Sequence, residues 1–159
     1  MEVIKHILVV SWLTPMCSNT IQFGISLSGK YSAMLSVVHV MDTTWLTGWS
    51  IPMVSMEEER RREMEKNKED LHHLIHIENK KDMIIREFVR EGIPSEVILK
   101  LTAEENIDLL ILRSHAETRL ERLLVGGGND EIIRAMPCSI FLVKQEPCVL
   151  DETEEVGDE

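Results

Sequence analysis

The sequence predicts an α/β fold, a five-stranded parallel sheet that is doubly wound, with helices on both faces. Three observations predict it. Short apolar runs without alternation, Ile7-Leu8-Val9-Val10 and Leu109-Leu110-Ile111-Leu112, read as strands covered on both sides. Helical segments alternate with such runs along the chain, which implies parallel strands joined by right-handed crossovers. Finally, Gly126, Gly127 and Gly128 separate a strand from Asn129-Asp130-Glu131, a helix entry with acids in its first turn. Glycines there let the backbone turn tightly and turn N–H groups toward an anion, although such turns also arise for backbone reasons alone.

Each element follows from its own residues. The first strand is expected over Ile4 to Val10, followed by a loop from Ser11 to Pro15. Ser18 or Asn19 caps a helix with Ile21, Gly24, Ile25 and Ser28 on its inner face, ended by Gly29. Leu35 to Val40 is the second strand, and its His39, among apolar neighbours, reads as a buried, hydrogen-bonded histidine. The irregular stretch from Met41 to Ser55 carries Trp45 and Trp49, which are expected to pack on their own domain. Met56 to Ile77 is a long helix with a charge-rich front half, including the Glu58–Arg62 pair, and with Leu71, Leu74 and Ile75 apolar near its end. Met83 to Arg90 is the third strand, and Pro94 opens a helix through Glu105 with Val97, Ile98 and Leu101 inward. Asp108 to Leu112 is the fourth strand, with polar residues taking over at Arg113. Ser139 to Val143 is the fifth, read as another buried strand.

Composition narrows the function classes. The 159 residues suit one domain, with 43% apolar and 28% charged residues, as in ordinary globular proteins. No apolar run approaches the ~20 residues of a membrane span, and the start lacks the features of a secretory signal, so a cytoplasmic location is expected. Net charge is −11, and without the seven acids after Lys144 it would be −4. A mildly acidic body repels phosphate backbones, which counts against nucleic-acid binding. Residues 1–145 are expected to form the domain and 146–159 an acidic, disordered tail. Three widely spaced cysteines (Cys17, Cys138, Cys148) without a CxxC count against a disulfide framework or zinc site. His72 and His76 stand one helical turn apart, but no third ligand is placed beside them, so they read as solvent-facing and no metal is expected.

Several segments together carry a family resemblance. KHILVV at the start, the second strand ending HVMD, the turn REGIPSEVI and the ending RSHAETRLERLLVGGG…AMPCSIFLV occur in the order and spacing of the universal stress protein family. The chain resembles that family along nearly its whole length to Lys144. The resemblance implies strand order 3-2-1-4-5, a homodimer through the last strand and, in many members, an ATP site at the strand ends. Ile140 and Leu142 on the final strand's open edge are the expected dimer contacts.

The ATP site is where the chain departs from the family. Nucleotide-binding members carry Gly, two residues, Gly, nine residues, then Gly followed by Ser or Thr. Those places hold Arg113, Ala116, Gly126 and Gly127, so only Gly126 matches. The family's acid after the first strand is replaced by Trp12, whose indole N–H donates and does not accept. Arg113 sets a long side chain where backbone should approach the ligand, unless its guanidinium pairs with a phosphate or with Glu117.

No catalytic set assembles. Ser114 and His115 are adjacent and point apart, and neither Cys17 nor Cys138 has an identifiable base. The reading is a non-catalytic stress-response or regulatory module, a homodimer with no cofactor, not binding ATP in the family's usual mode. The alternative is an ATP sensor or slow ATPase, with magnesium, using Gly126–Gly128, Arg113, Trp12 and the edge of Val40.

Overall fold

The computed structural model describes residues 3–13, 18–43, 53–114 and 128–144. The Trp45/Trp49 loop, Gly126, Gly127 and the acidic tail lie outside these residues. In chain order the elements are β1 (His6–Val10), α1 (Ser18–Tyr31), β2 (Met34–Asp42), α2 (Met53–Glu78), β3 (Ile85–Gly92), α3 (Pro94–Glu104), β4 (Leu109–Arg113), α4 (Gly128–Ala135) and β5 (Ser139–Val143). The five strands form one sheet in the order β3-β2-β1-β4-β5, and every pairing is parallel.

Position in this sheet explains the apolar runs. β1 lies at the centre, with Ile7 beside Leu35 on one flank and Leu109 on the other. All five β1 residues are buried: four are apolar, and His6 has both ring nitrogens hydrogen-bonded, to the Glu105 carbonyl and to Ser36 Oγ. Alternate side chains build two cores. Ile7, Val9, Leu35, Val37, Leu109 and Ile111 pack under α1 and α2, around Ile21, Ile25, Leu71 and Ile75. Leu8, Val10, Val38, Val40, Leu110 and Leu112 face α3 and α4, around Ile98, Leu101 and Ile132. Gly24 lets α1 sit close on β1, because a Cβ there would stand 2.5 Å from Val9 Cγ2.

Several boundaries differ from expectation, each for a local reason. α1 runs past the exposed Gly29 to Tyr31, and Ser32 takes the left-handed conformation (φ 54°). Ala33 N–H then bonds the Ser28 carbonyl at 3.0 Å, while Ser28 Oγ donates to the Ala33 carbonyl at 2.6 Å. β3 starts at Ile85, not Met83, because the Asn79 amide bonds both Met83 N–H and Met83 C=O and holds that residue in a turn. β4 starts after Asp108, whose Oδ2 accepts the N–H groups of Lys5 (2.8 Å) and His6 (2.9 Å) beside it. β4 also continues one residue further than expected, through a buried Arg113 in register with Val143. β5, read as buried, is an edge strand with Phe141 and Leu142 exposed.

β3 forms the other edge and carries charge on both faces. Glu87 and Glu91 turn toward α2 and pair with His72 and Arg60, while Arg86 pairs with Glu105 at the end of α3. Such solvent-exposed pairs add little stability. Among the described residues no helix is long and apolar enough to cross a membrane.

Candidate functional site

In open parallel sheets, ligands bind outside the carboxyl ends of the strands, near the point where strand order reverses. Here that point lies between β1 and β4. On its β2 side a cleft of about 260 Å³ opens between the strand ends and α2. Trp12 and Leu13 enter it from beyond β1, His39 to Thr43 from β2, and Arg60, Glu63 and Asn67 from α2.

Backbone pairing positions this wall. Ser11 N–H bonds the Val38 carbonyl at 2.8 Å, which prolongs the β1–β2 pairing past the end of β1. Leu13 then takes a left-handed conformation (φ 54°), uncommon for a bulky residue, and the chain turns away beside Trp12. Trp12 packs its ring against the α3/α4 core while still lining the cleft. Opposite it, Arg60 reaches across to Glu91 at 2.5 Å.

His39 is buried at 9% exposure, with Nδ1 2.9 Å from the Ser11 carbonyl. A carbonyl only accepts, so Nδ1 carries the hydrogen and Nε2 the lone pair. Burial holds this imidazole below its ordinary range, against the smaller opposing pulls of the Ser11 carbonyl, Asp70 and Glu63. The unfolded chain therefore takes the proton more readily than the folded one. Stability from this site is full above about pH 6.5 and declines as pH falls from there toward the folded pKa. Urea midpoints measured at pH 7 and pH 5 are expected to drop less in His39→Phe than in the native chain. Equal slopes would refute the assignment.

The sequence-derived candidates divide between two places. Trp12 and the buried Val40 meet in the cleft. Arg113 is 9% exposed at the tip of β4 and does not line the cleft. Its carbonyl accepts from Asn129 Nδ2 at 3.0 Å, which ties the start of α4, at Gly128, to the end of β4. Strand alternation puts the Arg113 side chain on the α1 face with Leu109 and Ile111. His72 and His76 are both exposed, and His72 pairs with Glu87. Ile140 is half-buried against the α3/α4 core, whereas Leu142 is exposed. Arg60, Glu63 and Asn67 were missed. Their signal was spacing, because steps of three and four residues lead back from Leu71 through Asn67 and Glu63 to Arg60.

With sheet order and strand-end crevice established, one comparison decides the family. Residues 4–144 match the sequence profile of the Universal stress protein family. The chain belongs to that family. Universal stress protein A homolog 1 of Coxiella burnetii is 26% identical over 143 residues, covering 87% of this chain and 95% of the relative. Among solved structures, protein MJ0577 superposes with a TM-score of 0.73 at 19% identity, over 92% of this chain and 99% of that one. A universal stress protein in complex with cAMP gives 0.63 at 13% identity, over 91% of this chain and all of the other. One from Archaeoglobus fulgidus in complex with dAMP gives 0.58 at 13% identity, with the same coverage. At these identities the superpositions establish the fold.

Proposed function

We propose that this universal stress protein is a non-catalytic regulatory module of the stress response, that it works as a homodimer, and that it does not grip ATP in the family's usual mode. The observation that carries this reading is the buried Arg113 at the tip of β4. Its side chain stands on the strand end where a glycine would let ligand phosphates approach the backbone. Trp12 supports the same reading, because it brings an indole to the place of a carboxylate acceptor. The half-buried free thiol of Cys138 suits a reducing, cytoplasmic setting.

The homodimer rests on a difference between the two sheet edges. Antiparallel pairing of β3 with a second copy sets Arg86 opposite Arg90 when centred on Phe88, and Glu87 opposite Glu91 when centred on Val89. Like charges there oppose association. The outer edge of β5, SIFLV, carries no charge, and among the described residues no strand pairs with it. Phe23 and Phe141, 5.6 Å apart and both exposed, extend its apolar surface.

A second reading is an adenine-nucleotide sensor or slow ATPase that uses magnesium. It is favoured by the cleft beside Val40 and by the cAMP- and dAMP-bound relatives of the same fold. One experiment separates the two. Purified protein is denatured, the ultraviolet absorbance of the released small molecules is read, and melting is followed with about 1 mM ATP and magnesium. No nucleotide and no thermal shift are expected. A site with a Kd of about 10 μM would add ~2.7 kcal/mol under these conditions, a shift of roughly 5–10 °C. Such a shift would establish the second reading.

A further inference from the structure

α1 and the outer edge of β5 present one uncharged surface, whose use rests on the reading that β5 pairs with a second copy. α1 carries a single charge in 14 residues, Lys30 in its last turn, whereas the chain as a whole is 28% charged. Before that turn its exposed positions are Asn19, Gln22, Phe23 and Ser26. On the same side of the sheet, α2 is charged along its exposed face. An exposed aromatic in a surround depleted of charge has the composition of a protein interface. Phe141 is in register with Ile111, so it stands on the sheet face that α1 covers. Its ring lies 5.6 Å from that of Phe23, and both are partly open, at 38% and 45%.

Symmetry limits how a second copy can cover this patch. Antiparallel pairing of two identical edges places a two-fold axis normal to the sheet, and matching pleats require one residue to stand opposite itself. Centred on Ile140, the pairing sets Ser139 against Phe141. Centred on Leu142, it sets Lys144 against Ile140. Centring on Phe141 keeps the apolar run 140–142 opposite itself, with Ile140 against Leu142 and Lys144 beyond the partner strand. The same axis keeps both α1 helices on one side of the joined sheet. We propose that two copies pair about Phe141, and that the Phe23–Phe141 pairs of both close into a four-ring seam. Phe23 then anchors the interface from outside the strand.

Dimer dissociation is followed by light scattering over a dilution series. Phe23→Ala is expected to raise Kd about tenfold, and Phe23→Asp, which sets carboxylates in the seam, about 100-fold. Phe23→Leu, still large and apolar, is expected to stay within about threefold. Ile77→Asp, at a 51% exposed position on α2, which packs on β2 and β3, leaves Kd unchanged. Urea midpoints of the dilute monomer report folding separately, so Phe23→Ala decides the matter where the aspartate variant does not fold. Register is read with Ile140→Cys, Phe141→Cys and Leu142→Cys, each in a chain whose Cys17, Cys138 and Cys148 are replaced by serine, treated with oxidised glutathione. Opposed residues lie about 4.5–5.5 Å apart between Cα atoms, so Phe141→Cys is expected to cross-link fastest. A native dimer indifferent to both Phe23→Ala and Phe23→Asp, equal weakening by Ile77→Asp, or faster cross-linking at 140 or 142 overturns this inference and leaves the homodimer standing. A native chain of monomer mass overturns the homodimer as well.

Discussion

Leu110→Ala is expected to lose about 2–5 kcal/mol of stability, a large share of the ~5–15 kcal/mol that holds a domain of this size together. Leu110 is fully buried in the middle of β4, in register with Leu8 on β1 and Ile140 on β5. Ile98, Leu101 and Ile132 belong to the same core cluster, on the helices that cover this face. Strands on both sides fix the backbone, so neighbouring side chains have little freedom to collapse into the space left behind. For a chain of this length the loss corresponds to a fall in Tm of roughly 5–15 °C. Urea unfolding gives the value directly, with the midpoint falling and the slope unchanged. Leu142→Ala on the edge strand, where the side chain is 47% exposed, is the comparison, expected to stay within about 1 kcal/mol of native in the monomer. Similar losses at both positions would mean that β4 is not the interior strand.

That contrast shows which parts of the fold were legible in the sequence. β1, β2 and β4 are apolar on both faces because helices cover both faces, and an unalternating run is the direct signature of that burial. β5 has the same signature but stands at the edge. Apolar residues look alike in sequence whether their own chain or a second one is meant to cover them. Strand ends were less legible because side chains set them: the Asn79 amide delays β3, and the Asp108 carboxylate marks the step before β4. In the site, Trp12 and Val40 entered through the family resemblance, and both line the cleft at strand ends, where topology places ligands. Arg60, Glu63 and Asn67 escaped notice inside a helix half so rich in charge that it read as a solvated face. A polar lining leaves no apolar periodicity. Only its phase with the buried Leu71 and Ile75 places it against the sheet end.

The proposed homodimer yields the other large expected effect. Leu142→Lys adds a positive charge at an exposed apolar position on β5, beside the exposed Phe141. In two-fold antiparallel pairing of the edges, each lysine meets the apolar strand of the other copy, and the two charges are brought close together. Burying an unpaired ammonium and opposing like charges weakens association by several kcal/mol, on the order of 100-fold in Kd or more. Light scattering at micromolar concentration is expected to give a dimer mass for the native chain and a monomer mass for Leu142→Lys. The variant's urea midpoint, extrapolated to low protein concentration, should match the native one, because the position is already exposed in the single chain. Ile84→Lys, at a 92% exposed residue beside β3, is the control and is expected to remain dimeric. A native chain of monomer mass removes the dimer. A Leu142→Lys chain that stays dimeric moves the interface off this edge, and dissociation by Ile84→Lys instead places it at β3, against the like-charge argument for that strand.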